Sequence, residues 1–271
     1  MSARYVDVHC HIQFDQYAED DTELIERMRA ESVAGIVVGI DIGSSGKAVV
    51  LAGKYGHLFA AVGLHPNQVA AEVFDEAAYR ALATHLKVVA IGECGLDYYR
   101  PIEINADVKE KQKEALQKHI ALAVELDKPL MIHCRPSSGT QDAYQDLIAL
   151  LREAKTIYPN LRGDIHFFVG GVVEAQTLIA LGFTLSFTAV ITFARDYDAV
   201  IRAVPLESIL SETDAPYVAP VSRRGKRNDP LAAVDVVLKI ADVRGEDPEI
   251  VRQTLLTNAQ RLFPPLSSEM Q

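Results

Sequence analysis

The chain of 271 residues is short of several things that would place it in other classes of protein. It has three cysteines, Cys10, Cys94 and Cys134. An odd number set far apart builds no disulfide framework and leads to the expectation of a reducing, cytoplasmic setting. Its least polar stretch, Leu178 to Phe193, is broken by Gly182, Thr184, Ser186, Thr188 and Thr192. A membrane span needs about 20 mostly apolar residues, so none is expected. No basic-then-apolar leader precedes the first strand, and a secretory signal is not expected either. Positive charge is in deficit, with 27 Lys and Arg against 37 Asp and Glu. That removes any global electrostatic reason to bind nucleic acid, yet metal ions and a local basic loop can still hold phosphates. Without a Gly/Ser/Pro-rich linker or a low-complexity segment, residues 1–266 read as one domain and Ser267 to Gln271 as a frayed tail.

What is present is a regular alternation. Tyr5, Val6 and Val8 begin a strand; a helix capped by Asp21 or Thr22 carries Leu24, Ile25 and Met28 and ends near Gly35. The apolar run Ile36–Ile40 suits a strand covered on both faces. A helix through Ala48, Val49, Leu51 and Ala52 leads to strand Leu58–Leu64, and helix Glu76–Leu86 to strand Val88–Glu93. Helix Val108–Leu126 precedes strand Pro129–His133, and helix Gln141–Ala154 precedes strand Gly163–Phe168. Helix Glu174–Leu181, strand Phe183–Phe187, helix Ala199–Val204 and strand Ser208–Asp214 follow, with closing helices at Pro230–Arg244 and Pro248–Phe263. Eight strand–helix repeats in a chain of this length predict an α/β fold of the (β/α)8 TIM-barrel type. An open doubly wound sheet more often begins with a Gly-rich phosphate turn after its first strand, and none is present.

In such a barrel the reacting groups sit at the C-terminal ends of the strands. The polar residues there are His9 and His11, His65, Glu93, His133, His166 and Asp214, so five of the eight histidines fall at strand ends. Scattered placement, as for His85 and His119, is what chance would give. His9 and His11 lie two apart on a strand and point the same way, with Cys10 turned toward the helix layer as a small hydrophobe. Cys94 and Cys134 follow proposed ligands in the same manner. His9, His11, Glu93, His133, His166 and Asp214 exceed what one tetrahedral ion requires and suit two adjacent divalent ions, with Glu93 able to bridge. Two such ions favour hydrolysis, above all in-line displacement at phosphorus. Glu212, two positions before Asp214, is placed to hydrogen-bond a histidine ligand.

At this point the motifs carry a likeness. Asp7-Val8-His9-Cys10-His11, Val62-Gly63-Leu64-His65-Pro66, Gly92-Glu93-Cys94-Gly95-Leu96-Asp97-Tyr98-Tyr99, Ile132-His133-Cys134-Arg135, His166-Phe167-Phe168 and Glu212-Thr213-Asp214-Ala215-Pro216 occur in order along the chain. With Arg224-Gly225-Lys226-Arg227-Asn228 and Thr257-Asn258-Ala259-Gln260-Arg261, this set resembles the TatD family of metal-dependent deoxyribonucleases, within the amidohydrolase superfamily. The resemblance implies one metal on His9, His11, Glu93 and Asp214 and a second on Glu93, His133 and His166. It implies that Asp214 takes a proton from the attacking water and that His65 meets the scissile group or the leaving oxygen. It implies Mg2+- or Mn2+-supported activity, whereas histidine-rich ligation favours Zn2+, Mn2+ or Ni2+ by affinity. Single-stranded DNA or DNA ends are the expected substrate, cut in the 3′-5′ exonuclease manner by a monomer.

The chain departs from the family pattern at the pocket mouth. Asn67 stands where a second histidine is usual, Pro136 where an acidic residue is usual, and Val169 in place of a small residue. These leave open an amidohydrolase acting on a small amide, ester or lactone, or an aminoacyl-tRNA deacylase. A metal-stabilised binding protein without activity is the third alternative, disfavoured because binding needs no open coordination positions. Arg135, Lys226 and Arg227 are the candidate phosphate contacts, the last two from the one dense basic run, Arg223–Arg227. Tyr98 and Tyr99 are candidates for stacking on a base or for packing in the core.

Overall fold

A computed structural model describes residues 3–100, 105–264 and 266, so the expected tail at Ser267 to Gln271 lies outside the described residues. Strands and helices alternate along them: β1 (Tyr5–Cys10), α1 (Asp21–Ala30), β2 (Val33–Val38), α2 (Ile42–Lys54), β3 (Leu58–Val62) and α3 (Glu76–Ala83). Then come β4 (Val88–Asp97), α4 (Ala106–Glu125), β5 (Leu130–Arg135), α5 (Asp142–Ile157), β6 (Gly163–His166) and α6 (Val172–Ala180). β7 (Phe183–Phe187), α7 (Asp198–Ala203), β8 (Ile209–Ser211), α8 (Ala233–Arg244) and α9 (Pro248–Leu262) complete the set. The strands pair in parallel in sequence order from β1 to β8, the expected barrel.

Local chemistry sets the element ends. Asp41 and Ser44 form a reciprocal capping box at the start of α2, and Asp75 and Asp247 cap α3 and α9 through their side chains. Gly245, left-handed at φ 66°, ends α8. Two differences from the expected boundaries matter. β4 continues to Asp97 instead of stopping at Glu93, because Cys94 to Asp97 pair onward with Ile132 to Arg135 of β5. β8 is only three residues long, so Asp214 sits beyond the ladder on the rim.

Two packed layers result. Val6, Val8, Ile36, Val38, Phe59, Val89, Met131 and Leu210 fill the barrel interior, and Leu262, Phe263 and Leu266 belong to the same cluster. Cys10, Cys94 and Cys134 lie in the other layer, packed with the buried faces of the helices. Both strands that begin the site carry a one-residue irregularity: between Asp7 and Cys10 in β1, and between Ile91 and Cys94 in β4. An extra residue in a ladder re-aims the side chains beside it, here His9 and Glu93. Gly92 (φ 145°) and Gly95 (φ 137°) make the β4 path possible. A Cβ at Gly92 would lie 2.2 Å from the Met131 carbonyl oxygen, and one at Gly95 2.0 Å from that of His133.

The seam between β8 and β1 is held by few ladder bonds and many side-chain bonds. A single bridge pairs Cys10 with Ala215. Asp7, wholly buried, accepts from Thr213 Oγ1 at 2.5 Å, Thr213 N at 2.9 Å and His9 N at 3.1 Å. Ser211 Oγ donates to the Val6 carbonyl at 3.0 Å, and Asp214 N to that of His9 at 2.9 Å. Asp7 therefore connects the strand bearing His9 to the segment bearing Asp214.

His119 of α4 pins the end of β3. Its Nε2 accepts from Leu64 N at 2.9 Å while its Nδ1 faces the Ala115 carbonyl at 2.7 Å, the residue before His65 being thereby fixed. Burial holds this imidazole neutral, pushed down to about 4 from an ordinary 6.5, against the Ala115 bond that favours the charge. Between those values the unfolded chain binds a proton that the native one refuses, so stability falls as pH drops from 6.5 toward 4 and levels off below. The loss is on the order of 3 kcal/mol. Urea unfolding of wild type and His119→Gln across that window reads it: the variant should lack about one proton's worth of slope. Identical slopes would contradict this assignment.

Candidate metal centre

The side chains at the strand ends converge on Glu93, which is buried in β4. Its Oε2 lies 3.4 Å from His9 Nε2 and 4.0 Å from His11 Nε2. Its Oε1 lies 3.1 Å from His133 Nδ1, 3.4 Å from His166 Nε2 and 3.3 Å from His65 Nε2. Asp214 Oδ1 is 3.3 Å from His11 Nε2 and 4.0 Å from His9 Nε2. Donor sets with their atoms within 4.8 Å of one another include His9–His11–Glu93 and Glu93–His133–His166, which share Glu93, and His9–His166–Asp214, which spans the two. A tetrahedral ion with bonds of about 2.1 Å sets its ligand atoms about 3.4 Å apart. The separations observed here, from 3.1 to 4.0 Å, bracket that value.

The outer contacts leave the lone pairs pointing inward. His11 Nδ1 faces the Val38 carbonyl at 2.7 Å, and His166 Nδ1 faces Glu212 Oε2 at 2.8 Å. His133 Nε2 faces Asp97 Oδ2 at 3.1 Å. An N–H at each acceptor would leave the other nitrogen of the neutral ring toward Glu93, the arrangement by which outer carboxylates and carbonyls orient metal-binding histidines, while against burial the facing carboxylates push His11, His133 and His166 upward. His9 is fixed differently, stacked on His166 with ring centroids 3.6 Å apart, and its Nδ1 has no hydrogen-bond partner among the described residues. The donor types and spacings fit divalent cations.

His65 is distinct from these. Its Nδ1 accepts from Asn67 N at 3.0 Å, so in the neutral ring the proton sits on Nε2, toward Glu93 Oε1. It is built to donate rather than to coordinate. The same reasoning removes His65, Asp97 and His133 as a third cation group, although their atoms are close enough. Burial favours the neutral ring further, pushing His65 below its ordinary value against the Glu93 charge. Burial works against ionisation of Glu93 as well, but His65, His166 and His9 outweigh it and hold the carboxyl well below the usual range. Asp214, buried too, is held low by His11 and the other imidazoles. It adopts φ 52°, a left-handed conformation uncommon outside glycine that aims a side chain at a functional site.

Asp97 is the site residue that strand-end reasoning missed. Reading β4 as ending at Glu93 put Asp97 outside the site; its place in the Gly-Leu-Asp-Tyr-Tyr block was the available signal. Its Oδ1 accepts from Tyr99 N and Arg100 N, both at 2.9 Å, and its Oδ2 from Asn67 Nδ2 at 3.0 Å as well as meeting His133. Burial notwithstanding, the bond from His133 and those amides hold it far below the usual carboxylate range.

The centre opens into a cavity of about 940 Å³ whose wall includes Phe14, Asn67, Tyr99, Arg135, Pro136 and Val169. Arg135 lies over the Tyr99 ring at 4.2 Å, and Tyr99 is half exposed. Tyr98 instead is buried, donating to Asp146 at 2.8 Å, and belongs to the core. The structure does not bring the basic run to this wall. Neither Lys226 nor Arg227 lines the cavity. Arg227 pairs with Asp20 and lies 4.3 Å over the Tyr17 ring, which fastens the loop after β8 to the segment before α1. Arg223 pairs with Asp229 at 2.8 Å, and Arg224 covers the Phe193 ring at 4.0 Å. Nearby acidic and aromatic groups thus occupy Arg223, Arg224 and Arg227 as braces, and the expected phosphate clamp finds no support from the cavity wall.

A family model described as TatD related DNase matches residues 6–264. The chain is 35% identical over 261 residues to the uncharacterized metal-dependent hydrolase YabD of Bacillus subtilis, spanning 95% of this chain and 98% of the relative. It is 33% identical over 266 residues to the 3′-5′ ssDNA/RNA exonuclease TatD of Cronobacter sakazakii, with 95% and 97% covered. The crystal structure of the TatD homologue YJJV from Escherichia coli superposes with a TM-score of 0.84 at 28% identity, covering 97% of this chain and 99% of that one.

Proposed function

The chain belongs to the TatD-related DNase family of metal-dependent hydrolases, and from that premise we propose that it removes nucleotides from the 3′ end of single-stranded DNA with two divalent ions. The observation that carries this reading is Glu93, which offers one oxygen to each of two histidine groups. When bound, such ions supply Lewis-acid polarisation of phosphoryl oxygens and an acidified water at neutral pH. His9, His11 and Asp214 would hold one ion and His133 and His166 the other, with Glu93 available to both. The histidine-rich set suits Zn2+, Mn2+ or Ni2+ as bound ions, and the family likeness supports Mg2+ or Mn2+ in turnover. Asp214, ionised and on the rim, receives the proton of the attacking water. His65 presents its Nε2 proton to the leaving oxygen. Glu212 holds His166 by one oxygen and Phe167 N, at 2.6 Å, by the other.

The cavity volume, 940 Å³, lies at the upper end of the range for ligand pockets, about 300–1,000 Å³, which suits a strand end better than the body of a duplex. Arg135 and the Tyr99 face form the wall suited to a phosphate and a base. We take the protein to act as a monomer, and three buried free cysteines fit a cytoplasmic protein. No described helix is long and apolar enough to cross a membrane. We take residues 1–266 as one catalytic unit.

A 5′-labelled single-stranded oligonucleotide incubated with Mn2+ should give a descending ladder that EDTA abolishes. Because Pro136 and Val169 line the cavity, lactones, small amides and aminoacyl esters belong in the same experiment. Their metal-dependent turnover without any DNA ladder would overturn the nuclease reading. Binding to DNA at varied salt separates the candidate contacts. Arg135→Ala should flatten the slope of log K against log salt by about 0.7. Arg227→Ala should leave the slope unchanged and cost about 1 kcal/mol of stability or less, its pair with Asp20 being more than a third exposed. The reverse pattern would restore the basic loop as the clamp.

A further inference from the structure

Resting on the two-ion reading, we propose that Asn67 is a positioning residue that ties the His65 turn to the second metal group through Asp97. Its backbone and side chain each make one of the bonds. Asn67 N donates to His65 Nδ1 at 3.0 Å, and Asn67 Nδ2 donates to Asp97 Oδ2 at 3.0 Å. The same carboxylate oxygen faces His133 Nε2 at 3.1 Å, and the His133 ring presents Nδ1 to Glu93 Oε1 at 3.1 Å. A continuous chain of contacts thus runs from the proton donor His65 to the ligand His133, whose rings sit 4.5 Å apart.

The amide orientation follows from chemistry. An ionised carboxylate only accepts, so the amide NH2 must face Asp97. Asp97 cannot turn to follow His133 elsewhere, because its other oxygen is committed to Tyr99 N and Arg100 N. Where the family pattern has a histidine, the asparagine keeps the donor and brings no imidazole nitrogen that could compete for the ion. The consequence is that Asn67 acts on the Glu93–His133–His166 group and leaves His9, His11 and Asp214 untouched.

Mn2+ uptake by the metal-free protein, followed calorimetrically and by electron paramagnetic resonance, tests this without substrate. Wild type should bind two ions. Asn67→Ala should weaken one binding event by about 10–100-fold, the usual effect of removing an outer partner of a metal-binding histidine. The other event should stay in place, and Asn67→Gln, which retains the amide donor, should recover part of the first. Asn67→Asp, which sets a carboxylate against Asp97, should be at least as damaging as alanine. Combined with Asp97→Asn, the alanine variant should show an effect smaller than the sum of the two, as for residues in one network. Two events that are both unchanged, or weakened equally, overturn the proposal and leave the two-ion reading intact. A wild type that takes up one ion overturns both.

Discussion

Glu93→Gln should lower kcat/KM for single-stranded DNA by about 10³-fold or more while the protein remains folded. A loss of that size corresponds to about 4 kcal/mol of transition-state stabilisation. The reason is geometric. Glutamine matches glutamate in volume, so the barrel interior is not disturbed, but its NH2 cannot ligate a cation. One of the two donor groups then loses its carboxylate, whichever way the amide turns, because Oε2 serves His9 and His11 while Oε1 serves His133 and His166. On the two-ion reading both ions would act together on one phosphodiester, so weakening either would remove the concerted clamp. Steady-state kinetics at saturating Mn2+, with the folded state checked by circular dichroism, measure the effect. A loss below tenfold would contradict the bridging role.

Asp7→Ala is the substitution expected to cost most in stability, about 3–5 kcal/mol, although Asp7 is not among the proposed ligands. It leaves the amides of His9 and Thr213 and the Thr213 hydroxyl without their acceptor inside the barrel. Unpaired buried donors cost about 1–3 kcal/mol each before relaxation. In a chain of this size the loss corresponds to a fall of about 10 °C in Tm. Activity falls as well, since Thr213 precedes Asp214 and the seam sets where that carboxylate stands. Asp7→Asn keeps an acceptor oxygen and should recover part of the Tm. Equal effects of the two substitutions would place the cost in packing rather than in the seam bonds.

Much of this arrangement was legible in the sequence because periodicity and spacing carry it. Alternating apolar runs and amphipathic helices gave the barrel, and the polar residue ending each run marked the rim, since active sites of this fold lie at the strand C-termini. His9 and His11 two apart on a strand were bound to face one way, and Cys10 between them to face the helices; both hold. Glu212 against His166 followed from the same alternation.

What periodicity could not supply were features with no period. The irregularities in β1 and β4 break the register at His9 and Glu93, and the continued β4 hides Asp97 beyond the apparent strand end. Asp7 reads as one more polar residue in a strand until β8, some two hundred residues later, is placed beside it. His119 reads as scatter until α4 is laid against β3. The basic run is incomplete as a signal for a related reason: a run of cations shows its charge, whereas Asp20, Tyr17, Asp229 and Phe193, which pair with its arginines, lie in other segments.

The central claim, that Glu93 joins two cation sites, is tested most directly by anomalous scattering from crystals equilibrated with Mn2+. The account predicts two peaks about 3.5–4 Å apart, the spacing of two-metal hydrolytic sites. Glu93 Oε2, His9 and His11 should bind one, and Glu93 Oε1, His133 and His166 the other. A single peak, or two peaks with both Glu93 oxygens on the same ion, would contradict it.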